Sequence, residues 1–271
     1  MGKIYSKSKN SDDNERIKYL NRSIEIYEEL DSYDQKLEYA MCFYYKSSCF
    51  QWLGKFSDSI KHIDKCIEIL DKMNMENSKE KANCLMEKSY SYFKIQQYKL
   101  CVQAGTKALE CYNKINDGRS FDAARCLKYM AESSGYLNIS SDFVNYYKKA
   151  LDIFQELKLH KQVAFSLKKL STAYGKNGDR TKQLEFALQS LKIYQDPSLV
   201  DDWKNTEEMA SVYMYVGDAY TANGKLAKAR EYYNMALEFY NKWQKAKNKL
   251  IQKIKRVSRQ NVRTKNNKYY Y

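Results

Sequence analysis

Along most of the chain, apolar and small side chains recur every three or four residues, the spacing that lines one face of an α-helix. In ERIKYLNRSIEIYEEL (15–30) this rule places Ile17, Leu20, Ile24 and Tyr27 on one side and predicts an N-terminal helix. In SVYMYVGDAYTANGKLAKAREYYNMALEFY (211–240) two such stretches are joined at Gly224. Small residues at Gly217, Ala229 and Ala236 let the two helices approach closely, Tyr213, Tyr220 and Tyr233 fill the space between them, and Gly224 makes the turn.

The same alternation of small and large positions returns four more times. FYYKSSCFQWLGKFSDSIKHIDKCIEIL (43–70) carries Phe43, Ser47, Phe50, Gly54, Ser59 and Cys66 in register. CLMEKSYSYFKIQQYKLCVQAGTKALEC (84–111) carries Leu85, Ser89, Tyr92, Tyr98, Gly105 and Ala108. CLKYMAESSGYLNISSDFVNYYKKALDI (126–153) and SLKKLSTAYGKNGDRTKQLEFALQSLKI (166–193) follow, with Ala131, Ser134, Tyr147 and Ala150, then Leu170, Ser171, Tyr174 and Ala187. The predicted turns at Gly54, Gln96, Asn138, Gly178 and Gly224 are 42, 42, 40 and 46 residues apart. This pattern resembles the tetratricopeptide repeat (TPR), whose basic unit is about 34 residues, so each copy here carries extra residues in longer helices. The proline that often closes that repeat is missing except near Pro197. The resemblance covers about residues 34–241 and implies an all-α, right-handed superhelical solenoid of about five helix-turn-helix repeats with caps at both ends.

Composition agrees: one proline and nine glycines in 271 residues leave little to break helices. No apolar run approaches the length of a membrane span, and the polar N-terminus lacks a secretory core, so the expected location is cytoplasmic. Seven scattered cysteines without a CxxC pair read as buried, reduced thiols, and the two histidines, His62 and His160, lie too far apart for a zinc set. No phosphate loop, nucleophile elbow, HExxH or dinucleotide motif occurs; the chain reads as non-enzymatic, with no cofactor and no metal site expected.

Charge divides the chain in three. The net excess of +14 is carried by Lys3, Lys7 and Lys9 and by eleven cations beyond Glu238, so residues 10–241 sum to zero. The expected organisation is a flexible basic leader (1–12), a helical repeat domain with its cap helix (13–241), and a basic cap helix with a disordered tail (242–271). Met1, Gly2 and Ser6 in MGKIYSKSKN fit the MGxxx[ST] pattern, which makes Gly2 a candidate for N-myristoylation. One such chain needs a second signal to hold a bilayer. Lys3, Lys7 and Lys9 could supply it, with Trp243, Lys245, Lys249, Lys253 and Arg256 of the basic helix as further contacts to an anionic membrane or acidic partner. A plain leader and a solvated cap helix are the alternatives. Binding of the basic tail to nucleic acid, or to calmodulin as a target helix, also stays open, though the tail holds no recognised nucleic-acid module.

Repeat solenoids bind partners in a concave groove lined by the first helix of each repeat. By register the groove candidates are Tyr44, Tyr45 and Ser48, then Met86, Tyr90 and Phe93, then Arg125 and Lys128, then Phe165 and Lys168, then Met214 and Asp218. The early part is aromatic and the middle basic, which suits a peptide or protein ligand with apolar anchors and some acidic character. Some TPR proteins hold the acidic C-termini of chaperones through Lys, Asn and Arg in successive first helices; here Tyr44, Ser48 and Glu87 stand where that set should begin, and chaperone binding is not expected. The reading is therefore a scaffold or adaptor, with a peptide-sensing helical-repeat regulator as the alternative. Partner identity and oligomeric state are left open.

Overall fold

A computed structural model of the chain describes residues 2–30, 36–199, 206–240, 255–257 and 259; for residues 2–11, 206 and 207 it describes the backbone alone. All described regular structure is helical: α1 Gly2–Glu28, α2 Leu37–Trp52, α3 Phe56–Lys72, α4 Lys79–Lys94, α5 Tyr98–Lys114, α6 Phe121–Tyr136, α7 Ser140–Glu156, α8 His160–Lys176, α9 Arg180–Gln195, α10 Thr206–Ala222 and α11 Leu226–Tyr240. The N-terminal helix is longer than the sequence pattern indicates. No proline or glycine interrupts residues 3–30, and the backbone of the segment read as a flexible leader is helical from Gly2. Trp243, Lys245, Lys249 and Lys253 of the expected basic cap helix, and the tail beyond Arg259, lie outside the described residues.

The five turns foreseen from the repeat are all left-handed, with positive φ at Gly54, Gln96, Asn138, Gly178 and Gly224. Each closes the helix before it in the same way. The amide of Lys55 reaches back to the Phe50 carbonyl at 2.8 Å and that of Gly54 to Gln51 at 3.0 Å, the paired bonds of a Schellman cap. Gln97 to Tyr92 (2.9 Å), Ile139 to Ser134 (2.9 Å), Asp179 to Tyr174 (3.0 Å) and Lys225 to Tyr220 (2.9 Å) repeat the longer bond. Asn74, Asn116 and Lys158 cap α3, α5 and α7 with the same conformation, which the sequence reading did not mark.

The chain divides into two compact units, Met1–Tyr146 and Tyr147–Tyr271, with the division inside α7. In the first unit, Ile24, Tyr39, Ile63, Cys66, Ile69, Leu70 and Cys84 form one core, against which Leu20 and Tyr27 of α1 pack. A second core joins α4, α5 and α6 through Met86, Ala108, Tyr112, Cys126 and Met130. In the second unit, α9, α10 and α11 close around Ala187, Leu191, Tyr213, Val216, Tyr220, Ala229, Tyr233 and Ala236, and Val257 is buried in the same cluster. The small positions do what their spacing implies. A methyl group on Gly217 would stand 2.6 Å from Tyr233 Cε1, so α10 and α11 pack on that ring at contact distance. Where the small residue is serine its hydroxyl ties the pair together: Ser89 donates to the Cys101 carbonyl at 2.9 Å, and Ser171 to that of Gln183 at 2.8 Å.

All seven cysteines are free and buried, as the scattered spacing implies. Among the described residues, no helix is long and apolar enough to cross a membrane.

Candidate functional site

In the first unit, side chains of α4 and α6, with the first residues of α3 and α5, form a ladder of aromatic rings. Phe56 meets Tyr90 edge-on at 6.0 Å, Tyr90 meets Tyr129 at 5.0 Å, and Tyr129 meets Phe93 at 5.9 Å. Phe93 then contacts Tyr136 at 6.2 Å, and Tyr136 stacks on Tyr98 at 4.5 Å with the planes only 6° apart. These rings are half-buried, and Tyr136 is 60% exposed, so the row is edged by solvent. Cations sit over it: Lys128 Nζ lies 4.8 Å from the Tyr129 centroid, and Lys94 Nζ lies 5.5 Å from Phe56 and 5.9 Å from Tyr90. Contacts of this kind contribute about 0.5–1 kcal/mol each where exposed, and they hold positive charge at the ring faces.

Beside the ladder lies a polar cluster. Arg125 Nη2 stands 3.5 Å from Glu87 Oε1 and its Nη1 stands 3.1 Å from Asp122 Oδ1. Gln51 of α2 donates to the Glu87 carbonyl at 3.2 Å and to Ser91 Oγ at 3.0 Å. Burial pushes the Glu87 carboxyl above the usual range, and the Arg125 guanidinium pulls the other way. Burial, and then the Glu87 charge, push the Tyr44 phenol well up.

The second unit repeats part of this on α8 and α10. Lys168 Nζ lies over two rings at once, 5.6 Å from the Phe165 centroid and 5.3 Å from that of Tyr215. Lys169 lies 5.3 Å from the same Phe165 ring. Burial, and then the neighbouring Lys169, lower the Lys168 pKa, opposed by Glu208.

The groove residues expected from register separate into three groups. Tyr90, Phe93, Arg125 and Lys128 come together in the first unit, and Phe165 with Lys168 in the second. Tyr44 and Tyr45 pack edge-on at 5.6 Å, with Tyr45 exposed, while Ser48 donates to the Tyr44 carbonyl of its own helix. One further expectation requires correction: Met86 is buried at 1% exposure in the core between α4, α5 and α6, although it lies only one turn and about 40° around the axis from half-buried Tyr90. Met214 is half-buried against the second unit's core, and Asp218, also half-buried, accepts the Tyr233 hydroxyl at 2.7 Å. Gly2, Lys3, Lys7 and Lys9 lie on the α1 backbone, with lysine side chains outside the description, and Arg256 is exposed. Register did not place Lys94, Tyr129, Tyr136 and Tyr215 on this surface, and it marked Phe56 and Tyr98 only as template positions of the repeat.

No family model matches the sequence, and no curated protein matches it. Solved structures do match in fold. BtubC from P. vanneervenii superposes with a TM-score of 0.70 at 16% identity, over 86% of this chain and 92% of that one. The nearly identical TPR-like repeats of a Podospora anserina kinesin light chain give 0.64 at 15% identity, over 78% and 99%. A Rap protein solved in complex with competence and sporulation factor gives 0.55 at 16% identity, over 87% and 61%. The helix pairs, their turns and these likenesses establish an all-α fold of the TPR-like repeat class.

Proposed function

We propose, from this repeat fold, that the chain is a non-enzymatic interaction module that binds a peptide, or an exposed segment of a protein partner, along the inner helices of its repeats. The observation that carries the reading is the ladder of Phe56, Tyr90, Tyr129, Phe93, Tyr136 and Tyr98 with Lys94 and Lys128 over its rings. Rigid aromatic rings at a solvent boundary offer large contact area at small entropic cost, and such residues dominate binding energies. The cations above them favour a ligand that alternates aromatic or aliphatic anchors with acidic residues. The Rap structure holding competence and sporulation factor supports a ligand-binding role for a fold of this class.

Selection of random peptides on the intact protein tests the reading. Enrichment of acidic sequences with aromatic or aliphatic anchors, lost on Tyr129→Ala, is the expected result; no enrichment over a scrambled library contradicts it.

A finer layer belongs to the ends of the chain. Gly2 is myristoylated in this proposal, and the cations of the first turns and of the C-terminal segment add attraction to an anionic cytoplasmic leaflet. Intact mass of the protein from its native cell tests this directly: loss of Met1 with a gain of about 210 Da supports the lipid, and an unmodified N-terminus removes it.

A further inference from the structure

The second unit contains a cation with an unusual setting. Lys168 projects from α8 on the same face as Phe165, and its ammonium stands between the faces of Phe165 and Tyr215. It is half-buried, with its pKa lowered first by burial and then by Lys169, and Glu208 opposing. Among the described residues Lys168 makes no ion pair: the nearby acid, Glu208, faces Lys161 at 4.0 Å. Lys169 shares the Phe165 ring, and its charge also bears on Lys168.

Removing an ammonium from water without an acid partner is unfavourable, and ring faces recover only part of the loss. An anion arriving at this point gains a charge-assisted bond in a partly dry setting, where attraction is less screened by salt. We propose that Lys168, framed by Phe165 and Tyr215, is a subsite that receives an aspartate or glutamate side chain of a peptide held by the second unit. This rests on the peptide-binding reading, applied to the second unit by itself. One ammonium flanked by two rings suits a carboxylate with an aliphatic stem: the stem lies along the rings while the carboxylate reaches Nζ. The same setting lacks the arginine fork that bidentate anion recognition uses.

The test uses the full chain and a fluorescein-labelled octapeptide of alternating glutamate and leucine, with an alternating glutamine–leucine octapeptide as control. Wild type should bind the glutamate peptide about tenfold tighter or more, the scale of one charged hydrogen bond. Lys168→Met should erase that preference, and Lys168→Arg, which keeps the charge, should retain most of it. Lys192→Met, at an exposed lysine of α9 in the same unit, should leave it within about twofold, since an exposed charge contributes little. Selective ε-carbon labelling of lysine adds a readout that a merely structural lysine would not move: the Lys168 titration should begin below the ordinary lysine range and rise when the glutamate peptide is added. Equal preference in wild type and Lys168→Met overturns the subsite and leaves peptide binding intact. Failure of wild type to bind either peptide overturns the subsite and the groove reading together.

Discussion

Gly217→Ala separates close helix packing from helix propensity. The new Cβ would stand 2.6, 2.7 and 3.1 Å from Cε1, Cδ1 and Cζ of Tyr233. Ordinary contact begins near 3.4 Å, so the ring must move by roughly 0.8 Å or the helices must part. The ring is held: it is 2% exposed, its hydroxyl donates to Asp218 at 2.7 Å, and Thr221 Oγ1 lies 3.2 Å away. Overpacking costs about 1–3 kcal/mol and a lost hydrogen bond about 1 kcal/mol, against a gain of about 1 kcal/mol for alanine over glycine in a helix. The net is a loss of about 1–3 kcal/mol. Gly175→Ala in the same unit is the control. Its Cβ would meet the end of the Gln183 side chain, with Cδ at 2.6 Å, and a half-exposed glutamine can swing aside. There the propensity gain wins, with a change between zero and about 1 kcal/mol in favour of the variant. Because the chain holds two units, hydrogen exchange of α10 and α11 peptides reports the effect better than a single melting curve. A Gly217→Ala variant as protected as wild type in α10 and α11 would refute the packing argument.

Two titratable groups give predictions of opposite sign. Burial lifts the folded-state pKa of Glu87, so its contribution to stability is fully present below the ordinary carboxylate pKa and is lost as pH rises through the folded value. The melting temperature of Glu87→Gln relative to wild type should therefore climb as pH rises above the ordinary carboxylate pKa of about 4.3, and a constant difference would count against it. Burial lowers the pKa of His62, whose Nδ1–H donates to the Asp58 carbonyl at 2.8 Å and whose ring stacks 4.9 Å from Phe50. Its contribution is present above about pH 6.5 and is lost as pH falls through the depressed value. Proton NMR of the imidazole should show His62 titrating below the ordinary histidine range, and a midpoint at or above that range would contradict this setting.

The repeat was readable because its physics is local. Left-handed turns at Gly54, Gln96, Asn138, Gly178 and Gly224, and small residues at Ser47, Ser89, Ala131, Ser171 and Gly217, recur at intervals that any helix pair of this length must keep. The binding face was only partly readable. Register tells which helix a residue belongs to, yet one position, about 100° around the axis, decides between core and surface. Smaller rotations matter too: Met86 is fully buried while Tyr90, one turn later and about 40° around, is half-buried. The bond that Asp218 accepts from Tyr233 was not legible, since Tyr233 lies on the next helix and the close approach at Gly217 brings the two together. The setting of Lys168 was half legible: Phe165, one turn before it, was in the register, while Tyr215 comes from the following repeat.

The central claim is that the aromatic ladder of the first unit is a ligand surface rather than a packing device. The affinity of a selected peptide for wild type and for Tyr129→Ala, measured by fluorescence polarisation with α4 and α6 hydrogen exchange as the fold control, tests it most directly. Loss of about tenfold or more in affinity with protection unchanged is the predicted result, on the scale of truncating one anchor residue. Equal affinity with reduced protection would show that Tyr129 serves the fold alone and would contradict the account.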